Sequence, residues 1–211
     1  MKFDGIVFDL DGTLWDTCAT CAIGWNRVVT RHGIRFRRIT EHDVRSVAGK
    51  PHETCIREVF RNLPEPDLRV LVDETGSEDN RLVLERGGAV YDGVAEGLTL
   101  LAERHPLYIV SNCQAGYVEA FFDVTGLGRF FQGFECAGRT GLPKADNLSS
   151  VVGRGGLNAP VFVGDTDGDR AAARQCDIPF VHVKYGFGAC AAAEACVDDF
   201  GALCTLLRTG D

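Results

Sequence analysis

Short apolar runs that stop on polar residues constrain the fold of this chain more than any other feature. Gly5-Ile6-Val7-Phe8 stops at Asp9, Leu107-Tyr108-Ile109-Val110 stops at Ser111, Ala159 to Gly164 stops at Asp165, and Pro179 to Val183 is a fourth such run. Runs this short, with β-branched members and little polar alternation, suit strands buried on both faces. Between them apolar residues recur at helical spacing: Val94, Leu98, Leu101 and Ala102, then Val118, Phe121 and Phe122, then Ala171 to Cys176. Strands alternating with helices predict an α/β fold, a parallel sheet joined by crossover helices.

From about Asp16 to Arg86 that rhythm breaks. Helical spacing continues (Cys21, Trp25, Val28, Val29; Cys55, Ile56, Val59, Phe60; Leu68, Leu71, Val72), but no segment there reads as a strand. The expected organisation is an α/β core of residues 1–15 and 87–211 with an all-helical cap, residues 16–86, inserted after the first strand. The hinges fall in Gly12 to Asp16 and in Arg86 to Gly93, where glycines permit backbone rotation.

The chain has 211 residues, of which 45% are hydrophobic and 25% charged, enough for one good core and a smaller second one. A net charge of −8 argues against nucleic acid as a partner, since a phosphate backbone rewards a basic surface. No apolar stretch approaches the ~20 residues of a spanning helix, and the N-terminal run is too short for a signal segment, so neither membrane nor export is expected. Nine scattered cysteines fit reduced thiols in a cytoplasmic protein. Cys18 and Cys21 form a CxxC without the second pair that a structural zinc site needs, and the plain reading is two residues on a helix.

In an open parallel sheet the carboxyl ends of the strands form the binding crevice. Three polar strand ends therefore matter: Asp9-Leu10-Asp11-Gly12-Thr13-Leu14-Trp15-Asp16, Ser111-Asn112, and Gly164-Asp165-Thr166-Asp167-Gly168-Asp169. Thr140-Gly141-Leu142-Pro143-Lys144 adds a cation at the start of a helix. Singly, each has an ordinary reading as turn, helix cap or solvated lysine. A calcium loop at Asp165 is excluded by Arg170 at its sixth position and Cys176 at its twelfth.

Taken in order and spacing, these four segments resemble the motifs of the haloacid dehalogenase-like (HAD) hydrolase superfamily. The helical insertion falls where one large subgroup carries its cap, and the tail Val183-Lys184-Tyr185-Gly186-Phe187-Gly188 is similar to phosphoglycolate phosphatases. The resemblance implies a Rossmann-like, HAD-like core and a magnesium-dependent phosphatase acting on a small phosphorylated metabolite. It implies that Asp9 attacks phosphorus to form an aspartyl-phosphate, and that Asp11 protonates the leaving oxygen and then activates water. Ser111 and Lys144 would bind and neutralise the phosphoryl oxygens, with backbone amides of Gly12 and Asn112 assisting. Mg2+ would be held by Asp9, Asp165 and the backbone carbonyl of Asp11, while Asp169 would orient a metal-bound water or Lys144. Asp167 points elsewhere on its helix. The family's dehalogenases lack an acid at the position of Asp11, and only an alkoxide leaving group needs its proton.

Substrate choice is expected in the cap. Ala48-Gly49-Lys50-Pro51-His52-Glu53 breaks the helical pattern, and Gly49, Lys50 and His52 are its candidates for contact with the leaving group. A helix start at Pro51 is the structural alternative. Two other functions stay open: a β-phosphoglucomutase-like phosphosugar mutase and a non-catalytic binding or regulatory protein on the same fold. The oligomeric state, monomer or dimer, is also open.

Overall fold

The computed structural model describes residues 3–190 and 192–208. In chain order its elements are β1 (Gly5–Phe8), β2 (Trp15–Asp16), α1 (Cys18–Arg31), α2 (Glu41–Arg45), α3 (His52–Val59), α4 (Glu65–Arg86), β3 (Ala89–Val90), α5 (Val94–Ala102) and β4 (Leu107–Ser111). Then come α6 (Tyr117–Thr125), β5 (Phe131–Cys136), α7 (Ala137–Thr140), α8 (Lys144–Gly155), β6 (Pro160–Gly164), α9 (Asp167–Gln175), β7 (Phe180–Val183), β8 (Ala195–Val197) and α10 (Phe200–Arg208).

Six strands form one parallel sheet in the order β5-β4-β1-β6-β7-β8. Every residue of β1, β4, β6 and β7 is buried, which is why these strands read as unbroken apolar runs. Ile6 and Phe8 pack on one face against Leu98 of α5, Phe121 of α6 and Leu203 of α10, whereas Val7 packs on the other against Leu148 of α8 and Ala173 of α9. Phe8 is in register with Ile109 of β4 and Val163 of β6. The next residues therefore deliver Ser111, Asp9 and Asp165 side by side at the carboxyl edge of the sheet.

The two outer strands, β5 and β8, were not legible as strands. β5 contains Gln132, Gly133 and Glu135, and most of its residues are only partly buried. An edge strand covered on one side need not be continuously apolar.

Helices α1 to α4 enclose a cluster of their own around Trp25, Val28, Ile56, Phe60 and Leu71. The chain enters and leaves this bundle through a small antiparallel ladder in which Trp15 pairs with Val90 and Asp16 with Ala89. Two-residue strands leave no periodic trace, so the ladder was read only as hinge segments. All nine cysteines are free thiols. Cys18 and Cys21 are buried on α1, and burial pushes both thiols above their ordinary range, away from thiolate chemistry. No helix among the described residues is long and apolar enough to cross a membrane.

Candidate active site

Asp9 leaves β1 with its Oδ1 2.7 Å from Nζ of Lys144, and the same ammonium reaches Oδ1 of Asp169 at 2.6 Å. Pro143 precedes α8 and sets Lys144 in its first turn. Asp169 lies in the first turn of α9, where its Oδ2 accepts from the Thr166 amide at 3.0 Å and the Thr166 hydroxyl at 2.6 Å. This capping box fixes the carboxylate that in turn fixes Lys144. Asp165 is held from the tail: its Oδ2 accepts from the amides of Phe187 at 2.7 Å and Gly188 at 3.4 Å.

Two glycines make this packing possible. A Cβ on Gly12, whose φ is +85°, would lie 2.2 Å from Asp165 Oδ2, and a Cβ on Gly186 would lie 2.3 Å from Asp165 Cβ. The Gly12 amide is not available to a phosphate as expected. It donates to the Trp15 carbonyl at 2.9 Å, closing the turn after β1, so the contribution of Gly12 is space for Asp165.

Two carboxylate oxygens remain. Asp9 Oδ2 and Asp165 Oδ1 are buried without a hydrogen-bond partner, and one oxygen each from Asp9, Asp165 and Asp169 lie within 4.8 Å of one another. Burial, reinforced by Asp169, raises the carboxyls of Asp9 and Asp165, the latter to about 7. Burial alone would lower the Lys144 ammonium, but Asp169 and Asp9 outweigh it and hold the group above its ordinary value. Three carboxylates against one ammonium leave the cluster two charges from neutrality. Bare oxygens, an all-oxygen donor set and this charge deficit fit a divalent cation. Asp169 contributes mainly through Lys144, since both its oxygens already accept hydrogen bonds. The Asp11 carboxylate is outside the cluster, so only its carbonyl stays a candidate ligand.

The fit has a thermodynamic consequence. A carboxyl raised on folding costs stability as pH climbs from its unfolded value toward its folded one, because the unfolded chain gives up its proton first. Chelator-treated protein should therefore gain more melting temperature from added magnesium at about pH 8 than at about pH 5, where bound protons compete with the cation. Differential scanning fluorimetry reads this directly; an equal gain at both pH values would contradict it.

Asp11 turns toward the cap. Its Oδ1 accepts from the Tyr117 hydroxyl at 2.8 Å and more weakly from Thr17 at 3.5 Å. Burial pushes its carboxyl up to about 6, against the Tyr117 hydrogen bond. That value suits a group that gives a proton and takes one back near neutral pH.

Asp9, Asp11, Ser111, Asn112, Gly49, Lys50 and His52 all line one cavity of about 70 Å3 between cap and core. Lys144, Asp165, Asp169 and Gly12 lie beyond its lining. The cap loop touches the core: Asn112 Nδ2 donates to the Gly49 carbonyl at 2.8 Å, so this side chain joins the two parts. Asn80 of α4 adds a second link, donating to the Ala115 carbonyl at 2.8 Å. Lys50 turns away, its Nζ paired with Glu58 at 2.6 Å. His52 Nε2 bonds Thr75 Oγ1 at 2.9 Å, and burial lowers its imidazole to about 4, so it is neutral. Tyr117, Thr17, Trp25 and Asp79 also line the cavity and were not singled out from sequence. Tyr117 and Trp25 sit at helical spacing among apolar residues, where nothing separates a wall from a core.

A sequence profile described as haloacid dehalogenase-like hydrolase matches residues 6–183. The chain belongs to the haloacid dehalogenase-like hydrolase family. Among its HAD relatives, the phosphoglycolate phosphatase of Agrobacterium fabrum is 27% identical over 210 residues, covering 93% of this chain and 89% of its own length. The phosphoglycolate phosphatase of Synechococcus elongatus is 30% identical over 190 residues, covering 86% and 84%. A solved structure described as a predicted phosphoglycolate phosphatase from Haemophilus somnus superposes with a TM-score of 0.85 at 22% identity, covering 98% of each chain. At that identity the superposition speaks for the shared HAD fold.

Proposed function

We propose that this protein is a magnesium-dependent phosphatase that hydrolyses a small organic phosphate monoester through an aspartyl-phosphate on Asp9, phosphoglycolate phosphatase-like in its reaction. The observation that carries this reading is Asp9 itself: one oxygen is fixed by Lys144 and the other, buried, takes no hydrogen bond. Asp9, Asp165 and the Asp11 carbonyl would hold the cation, which supplies charge neutralisation where an anionic ester meets a carboxylate.

Asp9 forms a bond to phosphorus as the bond to the ester oxygen breaks, and Asp11 gives its proton to that oxygen. Asp11, now ionised, takes a proton from water, whose oxygen bonds phosphorus as the bond to Asp9 breaks. Inorganic phosphate leaves and Asp11 is protonated again. Lys144, paired with Asp9, would neutralise the phosphoryl oxygens, and the buried Ser111 hydroxyl would hydrogen-bond one of them. The links from Gly49 and Asn80 to the core keep bulk water from the reacting atoms. The cavity suits a small metabolite; nucleic acid and membrane have no place in this reading, and a cytoplasmic setting suits its free thiols.

Phosphate release from a panel of small monoesters tests the proposal. Release with magnesium that stops with chelator and returns with excess magnesium is the expected result. Release unaffected by chelator, or none from any ester, would sink it.

A further inference from the structure

The two carboxylate oxygens of Asp11 have different surroundings. Oδ1 accepts from the Tyr117 hydroxyl at 2.8 Å, whereas Oδ2 accepts from no donor among the described residues. Unlike Asp9 Oδ2 and Asp165 Oδ1, Asp11 Oδ2 is not shut away from open space, and the residue lines the cavity. The Trp15 indole N–H, also near this carboxyl, falls short of a hydrogen bond.

Behind Oδ1 stands a chain of donors. Tyr117 opens α6 in the core and Thr17 is the residue before α1 at the root of the cap, and both are buried. Their hydroxyls are in contact, and Thr17 Oγ1 lies nearer to the Tyr117 oxygen than to Asp11 Oδ1. The Cys21 thiol in turn reaches Thr17 Oγ1 at 3.6 Å. Each of these groups has one proton to give. Run toward Asp11, Cys21 gives to Thr17, Thr17 to Tyr117 and Tyr117 to the carboxylate, so the chain ends on its strongest acceptor. Run the other way, it would end on a thiol sulfur, its weakest. The helix start makes no claim on Thr17: its hydroxyl caps no amide of α1, and Asp16 Oδ1 takes the Cys18 amide at 2.9 Å instead. With Oδ1 committed as an acceptor, a proton carried by Asp11 sits on Oδ2.

Resting on the phosphatase reading, we infer that Tyr117, backed by Thr17, is a positioning residue that holds Asp11 by Oδ1 and so keeps Oδ2 as the oxygen that gives the proton to the leaving group and takes one back from water. In the first step the Oδ2–H bond breaks as the ester oxygen gains that proton. In the second, a proton of water goes to Oδ2 as the water oxygen bonds phosphorus. Tyr117 and Thr17 keep their own protons throughout. Without the Tyr117 bond the carboxyl is free to rotate, and its proton is divided between two oxygens in place of one held orientation.

Tyr117→Phe removes the hydroxyl and keeps the ring against Trp15, whose centroid is 5.5 Å away. Two phosphates of similar size read the effect under magnesium, ethyl phosphate and acetyl phosphate. Ethoxide needs a proton to leave; acetate, a far weaker base, does not. Because kcat/KM reports the steps through transfer to Asp9, Tyr117→Phe should lower it about tenfold or more for ethyl phosphate, the worth of one hydrogen bond to a charged group, and by no more than about twofold for acetyl phosphate. With acetyl phosphate kcat should fall instead, and phosphorylated Asp9 should accumulate, because Asp11 still has to take a proton from water. Thr17→Val, which leaves the Tyr117 bond in place, should show the same selectivity more weakly. In Asp11→Asn, adding Tyr117→Phe should not slow loss of the phosphoryl group from Asp9 any further. Unchanged kinetics in Tyr117→Phe, equal losses of kcat/KM on the two substrates, or a further slowing in Asp11→Asn overturns the inference while leaving the phosphatase reading intact. Wild type silent on ethyl phosphate overturns both.

Discussion

Replacing Asp9 with asparagine is expected to lower phosphate release by ~10^4-fold or more, with no loss of melting temperature in the absence of magnesium. The amide has the same shape and can still accept from Lys144, but its oxygen is too poor a nucleophile to displace an alkoxide from phosphorus. Stability should hold or rise because the substitution removes one of three buried carboxylates that repel each other around a single ammonium. Activity assays and thermal melts on the same preparation check both halves. A variant that is inactive because it is unfolded would show itself in the melt.

The second large effect is expected at Lys144. Lys144→Met preserves length and apolar stem but removes the partner of Asp9 and Asp169. Losing a positioned cation at the phosphoryl oxygens should lower kcat by about 10^2- to 10^3-fold. Leaving two buried carboxylates uncompensated should cost about 3–5 kcal/mol of stability, measured by chemical denaturation without metal. Magnesium should recover more stability in this variant than in wild type, since the cluster is then short of one more positive charge. Equal magnesium gains in the two proteins would contradict the charge account. The contrast with Asp9→Asn is diagnostic: both cut turnover by orders of magnitude, yet only the lysine substitution lowers metal-free stability.

Much of this arrangement was legible beforehand, for identifiable reasons. Buried parallel strands must be apolar throughout, so Asp9, Ser111 and Asp165 stood out as the places where such strands end. The sheet order then sets those ends next to one another. The first turn of α9 was legible in part: the spacing of Asp169 from Asp165 places both on one side, but not that Thr166 would hold one oxygen of Asp169 and Lys144 the other. Lys144 owed its prominence to the family resemblance, because a lysine after Gly-Leu-Pro has no signature of burial.

What sequence could not show depends on partners distant in the chain. Lys50 and Glu58 are eight residues apart, and only the fold decides that they meet rather than that Lys50 reaches the substrate. Asp79 lies in the run Asp73-Glu74-Thr75-Gly76-Ser77-Glu78-Asp79-Asn80, which reads as a solvated helix face. It is buried because α4 has company on two sides, Trp25 of α1 in the cap and the loop before α6 in the core. A helix clasped from both sides shows no clean amphipathic pattern. The tail was noticed for its likeness to phosphoglycolate phosphatases, but its physical task, two backbone amides on Asp165 Oδ2, has no residue-type signal at all.

The central claim is that Asp9 carries the phosphoryl group, and rapid acid quench during turnover followed by peptide mass mapping tests it most directly. The account predicts a phosphoryl group on the peptide containing Asp9, labile to hydroxylamine, more abundant in Asp11→Asn, where the base for its hydrolysis is gone, and absent in Asp9→Asn. Turnover with no phosphorylated peptide in either wild type or Asp11→Asn, or with the phosphoryl group on another residue, would contradict it.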